Sequence, residues 1–357
     1  MKISEIDRAH AVETNIGDEN TVFLDVRQAP FTIHGVLPAD EETPYYHRMP
    51  QPVADASNDG VSQLNHHTAG GRVRFMSNSP YVAIHTRQAE VLQMSHMTIC
   101  GSGGFDLYAS EDGGEDEYMG TFKPGFFMQE GYDSIVRLPD SRMRLFTIHM
   151  PLYGGVNELQ VGLDKDADVL PAPAYAIEKP VVYYGSSITQ GGCASRPGTS
   201  YQAILSRALQ CDHINLGFSG SARGEQATAQ HIASLDMSAF VMDYDHNARS
   251  PEELQATHEP FYQTVRKAHP DMPIIMVSQP KVKLNEDGLQ RIAIIRHTYE
   301  KALAAGDSNV YFVDGRTFFD CFAGDCATVD GAHPNDFGFV CMAQGLLPVL
   351  RKALKGE

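Results

Sequence analysis

A hydroxyl, a carboxylate and an imidazole stand in this chain among neighbours that suit them to chemistry. Ser187 closes the run Val181-Val182-Tyr183-Tyr184-Gly185-Ser186-Ser187, in which a short β-prone apolar stretch ends in a glycine. Near the far end comes Asp330-Gly331-Ala332-His333-Pro334. An acid three residues before a histidine shares one tight loop with it, so the acid can reach the imidazole and fix its tautomer. Nucleophilic catalysis needs these three groups together: a hydroxyl, a base to take its proton and an acid to orient the base. The competing readings are ordinary ones. Gly-Ser-Ser can be a helix cap, with Ser186 as good a candidate as Ser187, and Asp-Gly is a common turn dipeptide.

The elements around these residues favour the chemical reading. From about residue 175 the pattern is strand, then helix. Apolar runs at 181–184, 213–216, 240–244, 274–278 and 310–313 predict strands. Leu289, Ile292, Ile295, Tyr299 and Leu303 keep helical spacing, as do Leu254, Phe261, Val265 and Ala268. Pro260 is expected to break or kink the second of these helices. A last helix is expected over 337–354. Five strands alternating with helices predict a parallel sheet covered on both faces, with ligands beyond the carboxyl ends of its strands. Ser187 falls there, near a helix start whose free N–H groups can bind a developing oxyanion. Asn215-Leu216-Gly217-Phe218-Ser219-Gly220-Ser221 follows the second strand, where a glycine lets a backbone N–H approach a substrate. Asp243-Tyr244-Asp245-His246-Asn247 ends the third, where an asparagine can aim a neutral amide at an oxyanion. A flexible loop and a helix cap before Pro251 are the plain alternatives.

The N-terminal half has a different grammar. Residues 72–76 and 81–87 alternate around Ser77-Asn78-Ser79-Pro80, which predicts a β-hairpin. Further short strands are expected at 118–122, 134–138 and 143–150. Strands without a long helix between them predict a β-sandwich of jelly-roll type. Leu170-Pro171-Ala172-Pro173-Ala174 reads as a linker. The expected domains are 1–170 and 178–357, and 357 residues is long for one core.

Composition excludes several classes. A net charge of −17 would repel a nucleic-acid backbone. No run of about 18 apolar residues predicts a membrane span. The start, Met1-Lys2-Ile3-Ser4-Glu5-Ile6-Asp7-Arg8, has no apolar segment of leader type, so a cytoplasmic location is expected. Six scattered cysteines without Cys-x-x-Cys fit reduced thiols better than a disulfide frame or zinc site. The acidic runs Glu111-Asp112 and Glu115-Asp116-Glu117 read as a solvated loop, and no metal is expected. Ser187 sits in Gly-x-Ser-x-Thr, which does not match the Gly-x-Ser-x-Gly elbow. No phosphate-binding glycine loop is present.

Taken in order, the blocks resemble the SGNH hydrolases, also called the GDSL family. Gly185-Ser186-Ser187-Ile188-Thr189 is similar to their first block, with Ser186 in place of the usual aspartate. Asn215 to Gly220 follows the second block's Asn-x-x-x-Ser-Gly, Asn247 falls in the third, and Asp330 with His333 forms the last. The third block departs from Gly-x-Asn-Asp and reads Asp245-His246-Asn247-Ala248. Gly104-Phe105-Asp106-Leu107-Tyr108 resembles the Gly-x-Asp-Leu-Tyr signature of a β-domain preceding the hydrolase domain in a two-domain branch, which is similar to bacterial carbohydrate acetylesterases.

The resemblance implies a β-sandwich followed by a flavodoxin-like α/β hydrolase domain with a five-stranded parallel sheet. It implies Ser187 as nucleophile, His333 as general base and Asp330 as its partner. The N–H groups of Ser187 and Gly220 and the Asn247 side chain would form the oxyanion hole. No cofactor is required. The expected reaction removes a small acyl group, acetyl first, from an oligosaccharide or another small ester. A thioesterase or lysophospholipase on the same triad, and a catalytically silent sugar-binding protein, are the rivals. Arg196, within Gly191-Gly192-Cys193-Ala194-Ser195-Arg196-Pro197-Gly198, is a candidate substrate contact, with a structural arginine as its alternative. His246, Phe105, Asp106 and Tyr108 are further candidates. The 105–108 loop is alternatively a homodimer contact or simple packing.

Overall fold

The computed structural model describes residues 16, 20–40, 43–111, 113–125, 127–281 and 283–355. The reading of residues 1–8 as leaderless, and Asp112 of the acidic loop, lie outside them. The chain divides into two compact units, each discontinuous in sequence. One takes the described residues up to 48 together with 66–174 and 195–198; the other takes 49–65, 175–194 and those from 199 onward.

The first unit is a sandwich of two antiparallel sheets. Its strands are β1 (Thr21–Asp25), β2 (Thr32–His34), β3 (Arg72–Ser77), β4 (Tyr81–Val91), β5 (Phe105–Ser110), β6 (Glu117–Phe122), β7 (Gly131–Arg137), β8 (Arg144–His149), β9 (Gly154–Asp164) and β10 (Val169–Leu170). One sheet runs β1-β9-β4-β7; the other runs β10-β3-β8-β5-β6, with β2 also on β3. Ile84 and Val161 of the first and Val73, Phe75, Leu107 and Phe146 of the second share one core. The expected hairpin is not formed. β3 pairs with β8 and β4 pairs with β7 and β9, so residues 78–80 carry the chain from one sheet to the other. Both strands are buried on both faces for much of their length, and alternation alone does not name a strand's partner.

The second unit carries β11 (Ile177–Gly185), β12 (Cys211–Gly217), β13 (Ala239–Asp243), β14 (Ile274–Val277) and β15 (Val310–Val313) as one parallel sheet, in the order β12-β11-β13-β14-β15. This is the doubly wound order whose switch point lies beside its first strand. The helices, numbered along the whole chain, include α1 (Gln51–Ser57) and α2 (Asp59–Leu64), while α3 (Ile99–Ser102) belongs to the sandwich. There follow α4 (Ser187–Gln190), α5 (Tyr201–Leu209), α6 (Gln226–Ser234), α7 (Pro251–Ala268), α8 (Glu286–Ala304) and α9 (Asp336–Lys355). The first two come from a segment the expected boundaries gave to the N-terminal domain. Ser57 Oγ lies 2.8 Å from Thr228 Oγ1, and Asn58 Nδ2 donates to Ser221 O at 2.9 Å and Glu225 Oε1 at 2.6 Å.

The expected helices form, and one expectation about them needs correction. α7 passes through Pro260 without ending, because that residue is exposed while Leu254, His258, Phe261, Tyr262 and Val265 bury the opposite stripe. The carbonyl that Pro260 leaves unpaired faces water, and tertiary packing holds the helix. In α8 the buried stripe is Arg291, Ile292, Ile295, Thr298 and Ala302, whereas Leu289 and Leu303 are exposed. α9 has the length and apolar character of a membrane span, yet it buries Phe339, Met342, Leu346 and Leu350 within the protein.

Gly185, the last residue of β11, lies between Gly217 of β12 and Asp243 of β13. A Cβ on it would fall 2.1 Å from both the Asp243 carbonyl oxygen and Thr189 Oγ1. The missing side chain is what lets α4 settle on the strand ends. Because the obstacle includes backbone, no rotamer change relieves it. We expect Gly185→Ala to lower stability by on the order of 3 kcal/mol or to abolish soluble expression, read by urea unfolding; an unchanged midpoint would contradict the close fit.

Candidate active site

β11 delivers the chain to a single helical turn. Ser186 is its N-cap: the side chain is buried and accepts the Ile188 N–H at 3.2 Å. That removes Ser186 from the competition. Ser187 is the first residue of the turn, and its Oγ lies 2.9 Å from His333 Nε2. Gly191 ends the turn with φ 110°, a left-handed conformation that glycine adopts without strain.

The acid and base form a locally closed loop. His333 Nδ1 lies 2.7 Å from Asp330 Oδ2. Asp330 Oδ1 accepts the backbone N–H groups of Ala332 at 3.0 Å and His333 at 2.8 Å. Thr328 Oγ1 accepts the Gly331 N–H, and Val329 N–H donates to His333 O at 2.9 Å. Partial burial pushes the Asp330 carboxyl up, but the His333 and Ala332 N–H groups and the imidazole outweigh it and hold it at about 2. Asp330 is therefore a carboxylate at neutral pH. It accepts a hydrogen bond from Nδ1–H and leaves the Nε2 lone pair facing Ser187. Downstream of the nucleophile, Cys193 N–H donates to Pro334 O at 2.9 Å, tying the loop after α4 to the residue after the base.

Gly220 follows β12 with φ 67°, and a Cβ there would meet open space. Its N–H has no partner among the described residues. Asn247 Nδ2 donates to Phe218 O at 2.9 Å, which joins the loops after β13 and β12. An amide nitrogen carries two hydrogens, so one remains to serve a ligand. His246 is half-buried, and its Nε2 has no hydrogen-bond partner among the described residues. Burial, with the charges of Lys281, His333 and Arg291, pushes its imidazole down to about 3, so it is neutral at working pH.

The other candidate contacts are corrected by burial. Phe105 is fully buried in the sandwich core. Asp106, on the other face of β5, is fully buried too, with Oδ2 2.7 Å from Arg196 Nη1 and accepting the Gly198 N–H at 2.9 Å. Arg196 also donates to Tyr108 OH at 2.8 Å and lies 4.0 Å from the Tyr118 ring centre. These residues clamp segment 195–198 within the sandwich unit, which favours the structural reading of Arg196. Sequence alternation reveals a polar β5 face but not the arginine that covers it.

Sequence reasoning also missed the support beneath α4. Thr189 O accepts Gln202 Nε2 at 2.6 Å and Asn215 Nδ2 at 2.7 Å. Thr189 Oγ1 and Tyr201 OH donate to Asp243 Oδ2 at 3.1 and 3.2 Å. Burial, reinforced by Asp245, raises the Asp243 carboxyl well above the usual range. Asp245 is pushed up to about 7 by burial, against the opposing Gln279 N–H and Arg291. The only sequence sign was two aspartates flanking Tyr244 at a strand end.

Comparison with known proteins agrees with this geometry. The chain matches the GDSL-like lipase/acylhydrolase family over residues 178–351. It matches the GxDLY domain, the N-terminus of SGNH-hydrolase-type esterases, over residues 21–169. A Bacteroides ovatus structure described as that of a GDSL-like lipase superposes with TM-score 0.84 at 28% identity, covering 94% of this chain and 98% of that one. A salicylyl-acyltransferase from a tetracycline biosynthetic pathway gives 0.77 at 18% identity, covering 95% and 100%. A family two carbohydrate esterase from Cellvibrio japonicus gives 0.61 at 13%, covering 94% and 98%. The last two show a shared fold. No functionally curated protein matches the chain.

Two expectations follow. Removing the Asp106 carboxylate strands Arg196, so Asp106→Ala should lose about 3 kcal/mol of stability in urea; unchanged stability with a raised KM would instead make Asp106 a substrate contact. Asp245 keeps its proton in the folded state up to about pH 7, while the unfolded chain releases it near 3.8, the ordinary aspartate value. Folding therefore loses stability as pH rises between those values. The advantage of Asp245→Asn over wild type should grow from pH 5 to pH 8 in urea melts; a constant difference would refute the raised carboxyl.

Proposed function

We propose that this chain, whose residues 178–351 match the GDSL-like lipase/acylhydrolase family, is a serine esterase that removes small acyl groups, acetyl above all, from carbohydrate hydroxyls. The observation that carries this is the relay from Ser187 Oγ through His333 to Asp330, at 2.9 and 2.7 Å.

His333 Nε2 takes the Ser187 proton as Oγ attacks the ester carbonyl. The N–H groups of Ser187 and Gly220 and the free hydrogen of the Asn247 amide hold the oxyanion. The imidazolium, stabilised by the Asp330 carboxylate, protonates the departing sugar hydroxyl. Water then enters, gives its proton to His333 and attacks the acyl-enzyme. Acetate leaves as Ser187 recovers its proton. His246, neutral beside His333, is the polar group offered to the substrate's own hydroxyls. The carbohydrate assignment draws on the fold shared with the Cellvibrio japonicus carbohydrate esterase.

Ser187→Ala and His333→Ala should each lower kcat on p-nitrophenyl acetate by roughly 10⁴ or more with folding retained, and Asp330→Asn by less. Asn247→Ala should cost about 10²–10³ in kcat. A fluorophosphonate probe should label wild type and not Ser187→Ala; labelling that survives the substitution removes Ser187 as nucleophile. Acetate released from acetylated oligosaccharides, with little turnover of the p-nitrophenyl octanoate, supports the substrate class. A strong preference for the octanoate would transfer the enzyme to long-chain acylhydrolysis.

A further inference from the structure

The segment between β15 and α9 holds the acid and base, and it brings together two thiols that sequence spacing leaves apart. Cys321 Sγ and Cys341 Sγ are 3.8 Å from each other, across 20 residues of chain that include Asp330 and His333. Cys321 is exposed; Cys341 is buried in the second turn of α9. Packing on both sides of Cys321 keeps the pair apposed. Phe318 lies so close to Gly345 that a Cβ there would fall 2.5 Å from its ring. The 3₁₀ turn Gly324–Ala327 meets the helix start, where a Cβ on Gly338 would fall 2.1 Å from Ala327 O.

We propose that Cys321 and Cys341 are a modification site, a thiol pair that closes reversibly into a disulfide around the segment carrying Asp330 and His333. An S–S bond is about 2.0 Å long, so the sulfurs must approach by a little under about 2 Å. The exposed residues 320–322 can supply that shift while the helix stays in place. Burial, with the Cys321 thiol beside it, pushes the Cys341 thiol up to about 11, so Cys321 meets an oxidant first.

With a peroxide as oxidant, the Cys321 thiolate attacks one oxygen, the O–O bond breaks and the departing hydroxide becomes water. The Cys321 sulfenic acid then reacts with Cys341: the S–S bond forms, the S–O bond breaks, and the hydroxyl leaves as water with the Cys341 proton. Two thiols lose two electrons and the peroxide gains them. A small dithiol reverses the step by exchange. The closed ring restrains the loop of the base when the protein is heated, so the effect falls on inactivation rather than on turnover.

The test uses the full chain, treated with hydrogen peroxide, blocked with an alkylating agent and cleaved at aspartates. The expected result is a dithiothreitol-reversible cross-link between the peptides containing Cys321 and Cys341, formed in wild type and Cys326→Ser and absent in Cys321→Ser. The half-life of p-nitrophenyl acetate hydrolysis near Tm should lengthen several-fold on oxidation in the first two proteins only. A cross-link through Cys326, no cross-link, or an unchanged half-life overturns the proposal. The cross-link is read by mass and the restraint also by Tm, so a failed esterase reading would leave the thiol pair separately judged.

Discussion

Everything in the α/β unit serves one apposition: a hydroxyl and an imidazole 146 residues apart must stand 2.9 Å from one another. Neither group has reactivity to spare. A serine hydroxyl is a poor nucleophile until a neutral imidazole faces it, and the imidazole faces it usefully only in one tautomer. The sheet solves the long-range part. Its parallel strands end on one side, so a residue just past β11 and a loop just before α9 meet there. The loop solves the short-range part with its own hydrogen bonds. Asp330 spends one oxygen on backbone N–H groups and the other on Nδ1, so the carboxylate that orients the base is itself oriented by the base's own main chain.

Beneath the nucleophile the protein accepts an electrostatic cost. Asp243 and Asp245 sit two residues apart in the floor of the site, both buried; burial disfavours ionisation of both, and Asp245 adds to the effect on Asp243. Apolar residues would pack there more cheaply. What the carboxyl of Asp243 supplies is a shared acceptor for Thr189 and Tyr201, which fixes α4 from below while Gln202 and Asn215 hold its backbone from the side. Glycine does the remaining work. Gly185 and Gly217 remove the side chains that would keep the turn away from the strand ends.

Much of this was legible before any coordinates. Apolar runs of strand length placed all five parallel strands, and Ser187, Asp330 and His333 could be named from residue type, order and resemblance. What was not legible depended on contacts that no local pattern encodes. The stretch from Arg72 to Arg87 alternates as a hairpin would, but its strands join different sheets, β3 pairing with β8 and β4 with β9. Segment 49–65 carries no sign that it packs with the α/β unit; Asn58 reveals it only through bonds to Ser221 and Glu225. Asp106, in the Gly-x-Asp-Leu-Tyr segment, and Arg196, in the glycine-rich segment 191–198, were candidate substrate contacts, with a structural role as the alternative for Arg196. Burial shows them to be partners of one another.

The neutrality of His246 bears on why a second histidine can stand beside the base at all. In the proposed mechanism His333 becomes a cation on accepting the serine proton, with the Asp330 carboxylate 2.7 Å from Nδ1 as its counter-charge. A second imidazolium nearby would oppose that step and slow the attack. Burial removes the difficulty, since it keeps the His246 ring uncharged near neutral pH, where Asp330 is ionised. The ring can then lend a donor or an acceptor without lending a charge. A lysine at that position would weaken the base, and an aspartate would compete with Asp330 for its proton. An uncharged imidazole is among the few side chains that offer polarity there at no electrostatic expense to the relay.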